Sequence, residues 1–338
     1  GFVKEKSSAE ELIGVNVVSE SPPIGVTTNV YGFYSISLPE GNHKILYSYI
    51  GYQDKVVELA LTKSIRLDLE MNPYAQELSE IVLEAAAMPK VLSIEMSVNS
   101  LDVKSVKELP AVLGVVDIIK SIQLLPGITS VGESANGFNV RGGSSDENLV
   151  LLDEMNLFNS SHLFGFFSVF NTDAIKDVKL YKGGIPAEYG GRISSVLDIR
   201  QKEGNANQYH TSGGIGLISS RLMVEGPLWD KSSFMIAGRR SYGDLFLQLS
   251  KDESINSSQL YFYDLNMKFN SWLGDKDRFF LSTYSGEDVF KFGSVFHSSW
   301  GNKTLNARWL HLFSDKLVSN LSYNYNKYNY LISLVYDN

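Results

Sequence analysis

The C-terminal third of the chain alternates with a period of two. From Tyr261, the residues Tyr261, Tyr263, Leu265, Met267 and Phe269 are apolar, while Asp264, Asn266, Lys268 and Asn270 between them are polar. Further on, Leu317, Leu321, Tyr323 and Tyr325 oppose Asn320, Ser322, Asn324 and Asn326. Successive side chains of a strand point to opposite faces, so each set lines one face. Seven long strands follow, near 208–218, 219–229, 233–247, 260–273, 278–292, 303–313 and 317–335. A soluble sandwich would turn the apolar face inward, whereas a transmembrane barrel turns it to lipid and lines its lumen with the polar face. The connections favour the barrel. Asp230-Lys231, Asp275-Lys276 and Asp315-Lys316 mark short turns, each preceded by an aromatic residue (Trp229, Trp272, Phe313), and 249–259 and 286–302 read as longer loops. Arg240, which shares the parity of Phe234 and Ile236, fits a lipid face poorly and implies a position above the hydrocarbon or a bulge.

Residues 1–72 have a different rhythm. Short strands at 15–18, 33–38, 44–50, 55–61 and 65–71 are punctuated by Pro22-Pro23, Pro39-Glu40-Gly41-Asn42 and Gly51, the spacing of a small sandwich. Residues 73–108 read as a linker of low organisation carrying one strand-like segment, Glu80, Ile81, Val82, Leu83, Glu84 and Ala85. Residues 109–204 are turn-rich: NGFNVRGGSSDENLVLLDEMNLFN and DAIKDVKLYKGGIPAEYGGRISSVLDIR place strands at 149–154, 178–184 and 195–200 between paired glycines. Asp153 and Glu154, read as neighbours in a strand, would face opposite sides and share no site.

The stretch from about 109 to 200 resembles the plug domain of TonB-dependent outer-membrane transporters of the Bacteroidetes kind. LIGVNVVSE and TTNVYGFYSISLPEGNHKILYSYIGYQ resemble the carboxypeptidase regulatory-like domain, an immunoglobulin-like sandwich. The resemblance implies a mainly β protein: a sandwich (1–72), a linker (73–108), an α+β plug (109–204) and the first strands of a large antiparallel barrel (205–338). Plugged barrels have ~22 strands, and seven open strands in lipid leave an edge unsatisfied, so the chain reads as the N-terminal part of a longer protein. By position, residues 80–85 correspond to the TonB box, which pairs with TonB by strand addition. Arg141, Arg192 and Arg200 correspond to plug arginines that meet the barrel wall, with Asp264 and Glu225 as candidate partners by parity.

The implied activity is active import across the bacterial outer membrane, driven by the inner-membrane proton-motive force through TonB, with the N-terminal domain in the periplasm. The alternative is a plugged barrel that serves as a structural or docking subunit without transport. The substrate is not readable, and a surface lipoprotein partner is compatible with the sequence but not required by it.

The remaining composition narrows the chemistry. No cysteine is present, which removes disulfides and thiolate sites. A net charge of -8 argues against a nucleic-acid partner. His43, His162, His210, His297 and His311 are scattered without metal-ligand spacing and read as surface or lumen polar groups. No catalytic constellation, cofactor motif or metal site is expected, and no run approaches the ~18 apolar residues of a membrane helix.

Overall fold

A computed structural model describes residues 1–74, 98–101, 103–108, 115–130, 132, 137–293, 295–314 and 317–334. The N-terminal unit pairs β1 (Val3–Glu5) in parallel with β6 (Leu69–Met71). It packs them on an antiparallel sheet of β2 (Asn16–Ser19), β3 (Ile24–Thr27), β4 (Gly41–Ser48) and β5 (Lys55–Leu61), in the order β3-β2-β4-β5. Val3, Val15, Val17, Ile45, Tyr47, Leu69 and Met71 fill the space between the layers. The two buried phenols of Tyr34 and Tyr47 satisfy each other at 2.7 Å. The strand expected at 33–38 does not join a ladder. Tyr34 exchanges two backbone bonds with Gly1, 2.9 and 3.0 Å long, and the chain beyond it runs extended towards Pro39.

The second unit is built on a five-stranded sheet, β11-β10-β15-β14-β7, comprising β7 (Val98–Leu101), β10 (Asn148–Leu152), β11 (Met155–Asn156), β14 (Ile175–Tyr181) and β15 (Ser195–Gln201). β10 and β15 run parallel and the other pairs antiparallel. All seven residues of β15 are buried, as a strand covered on both faces requires. The helix α1 (Val103–Glu108) contributes Val103 and Val106, and α2 (Ile118–Gln123) contributes Ile118, Ile119 and Ile122, to the core on this sheet. Asp117 caps α2 by accepting from the Ile119 and Lys120 amides. Val98–Leu101 and Val103–Glu108, expected in the linker, therefore belong to the plug sheet and its cover. The segment 80–85 lies outside the described residues.

Asp153 and Glu154 are the sharpest departure from the sequence reading. They are not strand residues. Both have positive φ, 48° and 69°, and form the two-residue turn between β10 and β11. That is the conformation a tight hairpin demands, and it sets the two carboxylates side by side at a tip.

The third unit is one antiparallel sheet in sequential order. Its strands are β16 (His210–Ile215), β17 (Ser219–Pro227), β18 (Ser232–Ser241), β19 (Gln259–Leu273), β20 (Asp277–Phe292), β21 (Phe296–Ser314) and β22 (Leu317–Leu334). The expected alternation holds. Asp264, Asn266, Lys268 and Asn270 are buried against the plug, while Leu265 and Met267 face outward and are exposed. Among the described residues, 242–258, with two short helices, is the one long connection; it lies at the end opposite Asp230-Lys231 and Asp275-Lys276, where 216–218 forms a short one. The loop expected at 286–302 is instead largely strand, since β20 runs to Phe292 and β21 starts at Phe296, and the alternation carries on through Asp288 and Trp300. Arg240 faces outward in an unbroken register next to 242–258, where it reaches Asp244 at 2.9 Å and stacks over Tyr261. Trp229 and Phe313 are exposed beside the short turns, but Trp272 points inward and meets Phe2. No described helix is long and apolar enough to cross a membrane, which says nothing about strands.

Candidate functional site: the seam between plug and wall

The chemistry-bearing residues converge where the plug touches the inner face of the third sheet. At one end of the seam, the hairpin tip aims Asp153 at Lys268 (3.1 Å), while Lys268 also donates to the carbonyl of Gln201 at 3.0 Å. Asp153 accepts from the Gln201 amide at 3.0 Å, so the carboxylate is fixed from its own domain before it meets the wall. Glu154 takes Arg200 of the plug at 3.1 Å and Arg308 of the wall at 3.2 Å, and accepts from Ser322 at 2.8 Å. Burial opposes its ionisation, but the two guanidiniums outweigh that and hold the carboxyl below its ordinary range.

A second cluster surrounds His162 in a short plug hairpin of β12 (Ser161–His162) and β13 (Phe167–Ser168). Both ring nitrogens lie 2.6 Å from wall carboxylates, Nδ1 from Asp288 and Nε2 from Asp264. Two acceptors on one imidazole need two N–H donors, so the arrangement holds a proton on the ring. Burial by itself would lower the pKa of His162, yet Asp264 and Asp288 raise it to about 9. Arg239 and Tyr284 also bind Asp264, at 2.7 Å each, and Arg239 donates to the carbonyl of Ser168 at 2.6 Å. The imidazole stacks on Phe262, 4.3 Å between centroids. Gly286 makes the crossing possible, because a β-carbon there would stand 2.1 Å from the Tyr284 hydroxyl.

Two further contacts complete the seam. Asp173 is gripped by Arg221 of the wall at 2.6 Å and Lys107 of α1 at 2.9 Å; burial opposes its ionisation, but these cations keep its carboxyl below the ordinary range. Asn302 donates to the carbonyl of Asn159 at 2.8 Å and accepts from the Phe158 amide at 3.2 Å.

The arginines singled out from sequence occupy different places. Arg200 is buried and bonds Asp198 and Glu154, so it approaches the wall through Glu154. Arg141 is exposed, has φ 51° and lies over Gly183. Arg192 is exposed and donates to the neighbouring Gly191 carbonyl. Of the two candidate partners, Asp264 is central to the seam, met by His162 rather than by a plug arginine. Glu225 pairs with His210 on the adjacent wall strand at 3.3 Å. The prevailing polarity is thus the reverse of the expected one: Asp153, Glu154 and Asp173 come from the plug, and Lys268, Arg308 and Arg221 from the wall. Period-two parity alone would have pointed to Lys268, Asp288 and Arg308 as inward charges. Nothing local distinguishes His162 from the other four histidines.

Known proteins match this chain in the same places. Residues 1–83 match the CarboxypepD_reg-like domain family, and residues 93–196 match the TonB-dependent Receptor Plug Domain family. The TonB-dependent transporter Oar of Myxococcus xanthus is 26% identical over 226 residues, covering 63% of this chain and 21% of that protein. A TonB-dependent receptor of Formosa agariphila is 27% identical over 199 residues, 56% of this chain and 18% of that protein. Among solved structures, the siderophore receptor PirA from Acinetobacter baumannii superposes with a TM-score of 0.52 at 17% identity, covering 70% of this chain and 40% of that one. The ferric enterobactin receptor PfeA from Pseudomonas aeruginosa gives 0.51 at 13% identity, covering 69% and 41%. The chain thus spans about a fifth of the curated relatives' length, and the structural likeness speaks for fold alone. The chain therefore carries, in this order, a CarboxypepD_reg-like domain and the plug domain of TonB-dependent receptors.

Proposed function

We propose that this chain is the N-terminal part of an outer-membrane importer in which TonB, drawing on the inner-membrane proton-motive force, displaces the plug to admit a substrate. The observation that carries the reading is the seam. The plug has an apolar core, and although Tyr284, Met223 and Phe262 of the wall touch it with apolar surface, buried charged groups hold much of its contact with the wall. Separated ions regain water, so such a contact holds a domain in register without making its removal prohibitive. The sandwich lies at the short-turn end of the wall, the periplasmic end in barrels of this kind.

In this reading residues 80–85 are the point of attachment. An alternating Glu80-Ile81-Val82-Leu83 backbone suits strand addition to a partner sheet, where main-chain bonds supply most of the affinity. The test is binding of the full-length receptor to a purified TonB C-terminal domain. Val82→Pro, which removes one N–H and fixes φ, is expected to abolish binding, and Val82→Ala to leave most of it. Undiminished binding by the proline variant would place the attachment elsewhere.

A further inference from the structure

The N-terminal sandwich does not hang free of the other two units. Its first residues wedge against the wall: Phe2 stands edge-on to Trp272 at 5.7 Å, and Tyr31 packs on Phe280 at 6.4 Å, with Leu310 and Leu312 buried beneath. Arg308 caps this contact, 4.6 Å over the Tyr31 ring and 4.1 Å over Phe280. The same guanidinium holds Glu154 of the plug at 3.2 Å. One side chain therefore touches all three units.

Beside this apolar foot lies a buried acidic corner. Glu11 pairs with Arg278 of the wall, which also binds Glu203 at 2.8 Å on the segment leading from plug to wall. Glu10 accepts from the backbone amides of Glu203 and of Gly204, the latter at 3.1 Å. The carbonyl of Ser8 accepts from Ala206 at 2.9 Å, and that of Ser7 from the Asn207 side chain at 3.0 Å. Lys176 of the plug strand β14 is buried in the field of Glu203, Glu10 and Glu11. Gly204 has φ 88°, and a β-carbon there would lie 2.2 Å from the Phe234 carbonyl, so the segment is pressed to the wall. Burial raises the carboxyls of both Glu10 and Glu11, a cost that a passively tethered domain has no reason to carry.

We propose that the sandwich is a lock on the plug: seated across the seam at the short-turn end, it holds the plug against the wall until it swings away. The lock rests on the proposed function only in treating the plug as displaceable. It adds that displacement has an order, sandwich first and plug second. An appended domain serving purely as a spacer would leave the plug's release unchanged whether docked or not.

The backbone contact between Ser8 and Ala206, in a chain with no cysteine, offers a direct test. The full-length receptor carrying Ser8→Cys and Ala206→Cys is reconstituted in planar bilayers, and KCl conductance is followed as urea is raised. With the disulfide formed, conductance is expected to appear only at higher urea than after reduction with dithiothreitol, several-fold lower at the reduced protein's midpoint. Phe2→Ala, which weakens the foot without a cross-link, should shift the onset to lower urea. Superimposable curves for oxidised, reduced and Phe2→Ala proteins would overturn the lock and leave the displaceable plug standing. No conductance in any form, with the barrel still heat-modifiable, would overturn the displaceable plug and the lock together.

Discussion

The plug is held in two unlike ways on its two sides. Inward, Ile118, Ile119, Ile122, Val178, Leu180, Leu197 and Ile199 form an apolar core, to which the wall adds the ring of Tyr284. Outward, the same domain meets the wall through Asp153, Glu154, His162 and Asp173, each facing an opposite charge, beside small apolar contacts of Ala174 with Met223 and Met235 and of Phe167 with Phe262. Apolar burial is non-directional and roughly proportional to area, so it resists any displacement. A buried ion pair is strong only at its own geometry and nearly breaks even against full hydration of the separated charges. The difference lets a domain stay folded while its seat is vacated.

Breaking one partner of the seam tests this most severely. Lys268→Met would leave Asp153 buried beside the Gln201 amide with no cation, at a cost of about 3–5 kcal/mol. Plug release in urea is expected at much lower denaturant, and adding Asp153→Asn should recover most of the loss. A single variant that releases like the wild type would show that the pair is solvated.

The wall's two faces give the next effect. Leu265→Arg places a charge on the outward face, costing ~2–4 kcal/mol at mid-bilayer, whereas Asn266→Arg turns towards the plug. Heat-modifiable insertion into lipid should suffer more from the first change. Equal loss would mean the faces are reversed.

The His162 latch has a pH signature. Its folded pKa of about 9 lies above the ordinary imidazole value of ~6.5, so its contribution is full below that lower value and fades as pH rises through about 9. The difference is on the order of 3 kcal/mol. The urea midpoint for plug release should fall between neutral pH and pH ~10, and His162→Gln should flatten that dependence. An unchanged profile in the variant would remove His162 from the latch.

How much of this was legible in sequence depended on whether the signal was local. Period two assigned the faces of 260–273 and 317–334 because side-chain direction in a strand is fixed by parity. The same rule misread Asp153 and Glu154, since a two-residue turn of acidic residues lacks the Asn-Gly or Asp-Gly mark and continues a hydrophobic run. It also began β21 too late, at 303 instead of Phe296, because Gly301 looks like a loop residue but serves close packing within a ladder. The partnership of His162 with Asp264 and Asp288 joins positions more than one hundred residues apart, and only the fold brings them together.

Hydrogen exchange on the full-length receptor in lipid, read by mass spectrometry as urea is raised below the point of global unfolding, tests the central claim most directly. Amides fixed by the seam, such as Leu163 on Asp288 and Phe158 on Asn302, should lose protection first. Those of β15, buried along its whole length, should stay protected until the plug itself unfolds. Simultaneous loss at both places would contradict a plug whose seat yields before its core.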